Sequence, residues 1–133
     1  MPHNPIEPGS AKDWLRHAAS DLAVASEANI QGVLPQTLCF HAQQAVEKSL
    51  KAVLVHLGCE YPLTHVIARL ITLIKQQGID WPDELDAAAD LTIYAVQLRY
   101  PGANPEIAQE EYDEAVDIAK CVMEWAGHIV DSA

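Results

Sequence analysis

Four polar side chains recur along the stretch "FHAQQAVEKSLKAVLVHLG". They are His41, Gln44, Lys48 and Lys51, at positions i, i+3, i+7 and i+10. On a helix this spacing places all four within about a quarter of the circumference. Two ammonium groups, an amide and an imidazole on one strip could bind a phosphate or a nucleotide. The competing interpretation is a solvated face, with Glu47 and Lys51 as an i,i+4 ion pair worth only about 0.2–0.5 kcal/mol, and spacing alone favours it.

A second group of candidates lies outside this strip. In "LRYPG", Arg99 could clamp an anion or simply stabilise the end of a helix, and Tyr100 could stack on a base or be a buried tyrosine. Both interpretations stay open for both residues. His65 follows a predicted helix cap and could act as a base or a phosphate donor, whereas a lone loop histidine usually makes local hydrogen bonds.

The charge and the remaining motifs exclude several classes of function. The formal net charge is −11, and most of the 19 acidic residues lie at or after Asp80. A broad, non-specific grip on nucleic acid needs a basic face, so only a local cationic pocket is consistent with this chain. No two of the six histidines stand at i,i+4 and no two of the three cysteines form a C-x-x-C pair, so we predict no metal site and no cofactor.

Composition predicts a soluble, helical, intracellular protein. Half of the 133 residues are hydrophobic, but only 6% are aromatic. The three widely spaced cysteines are typical of reduced thiols. No signal peptide or membrane-spanning run is evident, so a cytoplasmic location is expected. Residues 1–9, with three prolines, are expected to form a flexible tail, and residues 10–133 a single domain.

The apolar periodicity predicts two helices around the first set of candidates. Ser10, followed three residues later by Asp13, resembles a capping box that begins the first helix. The second helix is expected to run from Pro35 to a C-cap at Gly58. Because most of its circumference is apolar, we expect it to be central to the bundle or to an interface.

Three more helices complete the prediction. Thr64 is expected to cap the third helix, which Gly78 closes. Asp80 is expected to cap a fourth helix that stops at Tyr100, because Pro101 follows. A long last helix is expected to begin at Asn104. These elements predict an all-α, up-and-down bundle of about five helices.

These motifs together resemble the HEPN domain, a helical module of bacteria, archaea and some eukaryotes. The resemblance rests on "FHAQQAVEKSLKAVLVHLG", "YPLTH" and "YAVQLRYPG", and covers residues 11–130. An A-x-x-D-L-x-x-A pattern in the first helix agrees with it, at Ala18, Asp21, Leu22 and Ala25. The resemblance implies a helical bundle that forms a homodimer.

What the resemblance implies for function divides in two. Many HEPN proteins accompany a minimal nucleotidyltransferase, often as a toxin–antitoxin pair, which implies a nucleotide ligand and a nucleotidyltransferase partner. Many others are metal-independent ribonucleases with an Arg-x4-6-His signature. This chain departs from that signature, since no histidine falls in the window after Arg16, Arg69 or Arg99. The departure weakens the ribonuclease interpretation, because attack by a 2′-hydroxyl needs a base beside the cation.

Three hypotheses follow. The first is a non-catalytic nucleotide-binding or nucleotidyltransferase-partner module. The second is a divergent ribonuclease in which Arg99 acts with His65 or His41. The third is a purely structural dimerisation or interaction protein. The site expected under the first hypothesis consists of a cationic cleft and its polar guides: Lys48, Lys51, Arg99 and Tyr100, with His41, Gln44 and His65.

Overall fold

All the regular structure in the described part of the chain is helical, as the sequence predicts. The computed structural model describes residues 6–28, 30–97 and 106–131. Five α-helices and one 3₁₀ helix occur there: α1 Ala11–Ala25, α2 Pro35–His56, α3 Ile67–Gln76, the 3₁₀ helix Asp83–Leu91, α4 Thr92–Gln97 and α5 Gln109–Asp131.

The first helix begins at a modified capping box. The Ser10 hydroxyl accepts a hydrogen bond from the Asp13 backbone N–H at 3.2 Å, as the sequence predicts. The Asp13 carboxylate returns to the N–H of Gly9, one residue before the cap, at 2.9 Å. The backbone N–H of Ser10 instead bonds to the carbonyl of Glu7. The backbone N–H groups of Gly9, Ser10 and Asp13 therefore all have hydrogen-bond partners at the start of α1.

The second helix is the centre of the fold, which confirms that prediction. It packs against α1, α3, α4, α5 and the 3₁₀ helix. Its C-terminus is a Schellman motif: Gly58 has a φ of 71°, its N–H bonds to the Val55 carbonyl, and the N–H of Cys59 bonds to the Leu54 carbonyl. A central helix contacted on this many sides must be apolar over most of its circumference, which is the pattern the sequence shows.

The third helix begins later than the sequence predicts. The Thr64 hydroxyl accepts a bond from the Val66 N–H, which makes a turn before the helix rather than its cap. The first N–H of α3, on Ile67, bonds instead to the Thr92 hydroxyl of α4 at 3.1 Å. The prediction was wrong because this cap comes from a residue 25 positions away, which no local pattern reveals.

The predicted fourth helix is divided into a 3₁₀ helix and a short α-helix. Pro82, rather than Asp80, precedes the first 3₁₀ residue. Leu85, Ala88 and Leu91 are all buried, and their three-residue spacing matches the three residues per turn of a 3₁₀ helix. The end predicted at Tyr100 lies outside the described residues. The last helix begins at Gln109, later than the start predicted at Asn104, because residues 106–108 are not helical and the carbonyl of Ala108 accepts the bond from the Tyr112 N–H.

The last helix closes the core against the first two. The residues buried along this helix include Tyr112, Ala115, Ala119, Val122 and Ala126, which alternate steps of three and four. The Tyr112 hydroxyl donates to the backbone carbonyl of Ala25 at the end of α1. This buried bond fixes how α5 is positioned along α1, since an unpaired carbonyl there would be costly.

Candidate functional site

The polar side of α2 is organised around two carboxylates, of which the first is Asp21 on α1. One Asp21 oxygen lies 2.8 Å from Nδ1 of His41, and the other accepts a hydrogen bond from Nζ of Lys48 at 2.6 Å. The His41 and Lys48 side chains are 30% and 25% exposed. We call these three residues the Asp21 cluster. It joins two turns of α2 to α1 while leaving part of both basic side chains accessible.

Small residues on α1 allow this contact. Ala18 and Ala25, which flank Asp21 at helical spacing, are fully buried, and so is almost all of Leu22. Alanine side chains let two helices approach closely. A short aspartate can therefore span the gap to α2. The same A-x-x-D-L-x-x-A pattern thus supplies both the packing face and the polar anchor.

The second carboxylate is Glu47 on α2 itself. Its oxygens accept hydrogen bonds from Nζ of Lys51 at 2.8 Å and from Nε2 of Gln43 at 2.8 Å, and Nδ1 of His65 lies 3.1 Å away. Gln44 extends the network, because its amide donates to the Gln43 side-chain oxygen at 2.7 Å. We call these five residues the Glu47 cluster. The Glu47 side chain is only 4% exposed, so its ionic partner matters far more than on a solvated face.

The hydrogen bonds keep Glu47 ionised. Burial by itself would raise the pKa of its carboxyl, but the bonds from Lys51, Gln43 and His65 outweigh burial and hold that pKa below the ordinary value of 4.5. An ionised carboxylate only accepts hydrogen bonds. Nδ1 of His65 must therefore carry its proton, which leaves Nε2 as the nitrogen directed away from Glu47.

Lys51 lies between two aromatic rings. Its Nζ is 5.6 Å from the ring centroids of both Trp14 and Tyr61, and these rings meet edge to face, also at 5.6 Å. Cation–π contact and the bond to Glu47 together compensate for the burial of this ammonium group. Lys51 is consequently a buried structural cation, with little surface for a ligand.

The structure groups five of the predicted site residues and leaves two untested. His41 and Lys48 belong to the Asp21 cluster, whereas Gln44, Lys51 and His65 belong to the Glu47 cluster. Both ammonium groups are paired with carboxylates, so each lysine's charge is compensated locally. Arg99 and Tyr100 lie outside the described residues, and their convergence with the lysines stays a prediction.

Sequence reasoning identified the Glu47–Lys51 pair but missed the other partners that organise the site. It places Asp21 only within the A-x-x-D-L-x-x-A pattern. Nothing in the sequence pattern links Trp14 and Tyr61 to Lys51, although their rings enclose its ammonium group in the structure. Gln43 is fully buried among apolar residues, and its i,i+4 spacing to Glu47 is the one available clue.

Two further classes of site are absent from the described ranges. Within residues 6–28, 30–97 and 106–131, no three histidine, cysteine or acidic side chains are grouped so that they could hold a metal ion. In the same ranges, no helix is both long enough and apolar enough to cross a bilayer.

We expect the Glu47 cluster to make the fold sensitive to acid. Because the pKa of Glu47 is lower in the folded state, its contribution is fully present above the ordinary value of 4.5 and is lost as pH falls through the folded pKa. The pKa of Asp13 is also lowered, first by the hydrogen bond from the Gly9 N–H and then by that from Arg16. Protonation of Asp13 in acid therefore also lowers the stability of the fold. Urea unfolding from about pH 7 down to about pH 3 measures the effect. In Glu47→Gln the free energy of unfolding should depend less steeply on pH. An unchanged pH dependence in that variant would contradict the role of Glu47.

Comparison with known proteins decides the family. The model of the HEPN domain matches residues 11–129, nearly the whole chain. The chain belongs to the HEPN domain family. This confirms the resemblance carried by the α1 and α2 motifs. No curated protein matches this HEPN domain.

Two solved structures share its fold over nearly their full length. The crystal structure of TT1696 from Thermus thermophilus is 30% identical, with a TM-score of 0.76, and the match covers 91% of this chain and 98% of that one. An archaeal HEPN homologue is 26% identical, with a TM-score of 0.71 and coverage of 92% and 98%. The all-helical architecture is therefore that of the family.

Proposed function

We propose that this HEPN domain is a non-catalytic module that binds a nucleotide. The supporting observation is the Asp21 cluster, in which one carboxylate orients both His41 and Lys48 at the surface of α2. An ammonium group has three donors, and the bond to Asp21 uses one of them. The remaining donors are held in place before a ligand arrives, which reduces the entropy lost on binding a phosphate.

The residues of the two clusters would have different roles in such a site. Lys48, His41 and the more exposed His65 are the groups that would contact the ligand. Lys51 and Glu47 are buried and would act by fixing His65 and the course of α2. Arg99 and Tyr100 are proposed to complete the site, as a guanidinium for phosphate and a ring for the base. The strongly acidic remainder of the chain would confine anion binding to this place.

Calorimetric titration with ATP, GTP and a short RNA tests the proposal. Lys48→Ala is expected to weaken nucleotide binding about tenfold or more, because it removes a charge-assisted hydrogen bond. Lys120→Ala is the matched control, since it deletes an exposed lysine of α5 that forms no ion pair with a described residue. Arg99→Ala examines the predicted clamp in the same assay.

Two outcomes would reject the proposed site. One is wild-type binding that neither Lys48→Ala nor Arg99→Ala weakens. The other is equal weakening by Lys120→Ala, which would indicate a general effect of charge. Thermal unfolding of each variant separates lost binding from lost structure, because Lys48 also helps to join α1 and α2.

We propose that the domain works as a homodimer together with a minimal nucleotidyltransferase, as one member of a toxin–antitoxin type pair. Membership of the HEPN family supports this proposal. Light scattering of the 14.5-kDa chain, alone and with a co-encoded nucleotidyltransferase, measures both associations. A monomer that binds no such partner would argue against them.

A divergent ribonuclease is the second candidate, and one specific observation favours it. His41 and His65 each direct Nδ1 at a carboxylate, an arrangement that orients an imidazole for general base catalysis. Incubating pure protein with total RNA in the absence of metal, beside His65→Ala and His41→Ala, tests it. Cleavage that a histidine variant abolishes would support an enzyme, whereas no cleavage at high protein concentration would exclude this route.

A further inference from the structure

A groove lies beside the Glu47 cluster, between α3 and the segment that follows α2. Its volume is about 560 Å³, within the range of about 300–1,000 Å³ usual for small-molecule sites. Tyr61, Pro62 and Leu73 supply apolar walls, and Arg69, Thr72 and Gln76 supply polar groups. The polar strip on α2 supplies none of the described lining residues.

Arg69 is the unusual member of this lining. Lys48, Lys51 and Arg16 are all paired with carboxylates, but the exposed Arg69 side chain forms no ion pair or hydrogen bond with any described residue. A guanidinium can bind a carboxylate or a phosphate through two parallel hydrogen bonds. Arg69 is therefore a fork-shaped donor in the lining of the groove, without an ion-pair partner among the described residues.

The opposite wall is an aromatic ring held in place. Tyr61 is half-buried, meets Trp14 edge to face, and has the Lys51 ammonium 5.6 Å from its centroid. These contacts restrict the ring, so a planar ligand group would lose little entropy by packing on it. Leu73 adds an aliphatic surface on α3.

The remaining polar groups limit the charge of the ligand. Thr72 donates its hydroxyl to the Ala68 carbonyl, so its oxygen is left to accept, and the Gln76 amide can both donate and accept. Glu60 also lines the groove and repels additional negative charge. One anionic head on a neutral body satisfies this set best.

We propose that this groove binds a small anion that carries a ring. Its carboxylate or phosphate would bind Arg69, and its ring would lie between Tyr61 and Leu73. This site is separate from the nucleotide contacts of the Asp21 cluster and does not depend on them.

Calorimetric titration of the intact chain tests the inference with four probes: benzoate, phenyl phosphate, AMP and inorganic phosphate. Phenyl phosphate and benzoate distinguish the two kinds of head group, while inorganic phosphate lacks the ring. Arg69→Gln is expected to weaken binding of the ring-bearing probes at least tenfold. Lys75→Gln is the matched control, because it removes one exposed cation from the same helix without altering the groove.

The outcomes are distinct. Weaker binding of benzoate or phenyl phosphate to Arg69→Gln, but not to Lys75→Gln or Lys48→Ala, supports the groove whether or not the Asp21 cluster binds nucleotide. If Lys75→Gln weakens binding as much as Arg69→Gln does, the loss reflects net charge alone and the site is rejected. Binding of inorganic phosphate as tight as that of phenyl phosphate would refute the role of the ring. No binding of any probe at millimolar concentration would overturn the inference altogether.

Discussion

Lys51→Met is expected to lower the free energy of unfolding by about 3 kcal/mol, because it leaves the buried Glu47 carboxylate without its ionic partner. Glu47 and Lys51 are 3% and 8% exposed, so water cannot replace the lost ammonium group. Gln43 and His65 still donate to Glu47, which places the effect at the lower end of the range for broken buried pairs. Methionine keeps the aliphatic stem against Trp14 and Tyr61, so the loss reports the charge and not the packing.

Urea unfolding at neutral pH measures this effect, and two variants act as controls. Lys48→Met breaks the more accessible pair with Asp21 and should cost less. Glu47→Gln combined with Lys51→Met removes both charges and should regain part of the loss. If Lys51→Met is as stable as Lys48→Met, the Glu47 cluster is not a buried ionic centre. The deficit of Lys51→Met should also shrink in acid, where Glu47 becomes protonated.

Leu54→Ala is expected to lower the free energy of unfolding by about 2–5 kcal/mol. Leu54 is fully buried on α2, the helix that contacts every other element. Removing its side chain sacrifices buried apolar area and leaves a cavity that several neighbouring helices would have to move to fill. The substitution should therefore lower the stability of the whole fold rather than loosen one helix end.

Leu63→Ala is the matched control for this measurement. Leu63 is 98% exposed, so the same substitution should change stability by no more than about 0.5 kcal/mol. Urea unfolding with an unchanged dependence on denaturant would show that the two variants differ in native packing alone. Similar stabilities for the two variants would contradict the central position of α2.

Most of the helical framework was predictable because helix caps form between residues that are close in the sequence. Ser10 caps α1 through a hydroxyl three residues from its donor, and Gly58 ends α2 because it adopts a positive φ. The starts of α3 and of the 3₁₀ helix were predicted less well. In the first of these, Thr92 supplies the cap from another helix.

The candidate site was predictable in composition and in its Glu47–Lys51 pair, but not in the pairing between helices. The spacing of His41, Gln44, Lys48 and Lys51 correctly places them on one side of α2, where they join two polar clusters. What that side presents depends on which carboxylates reach it. Asp21 belongs to another helix, and Glu47 is buried together with Lys51, which lies between Trp14 and Tyr61.

The all-helical bundle and its central apolar helix follow from the amino-acid sequence alone, because periodicity, caps and turn glycines act over a few residues. The resemblance to the HEPN family rested on sequence motifs, and the family model confirmed it. Which cations are paired depends on how the helices pack. Lys48 and Lys51 are paired, and Arg69 carries no described partner beside the aromatic wall of a groove. Electrostatic pairing depends on distances of a few ångströms between residues far apart in the chain, and those distances exist only once the helices have packed.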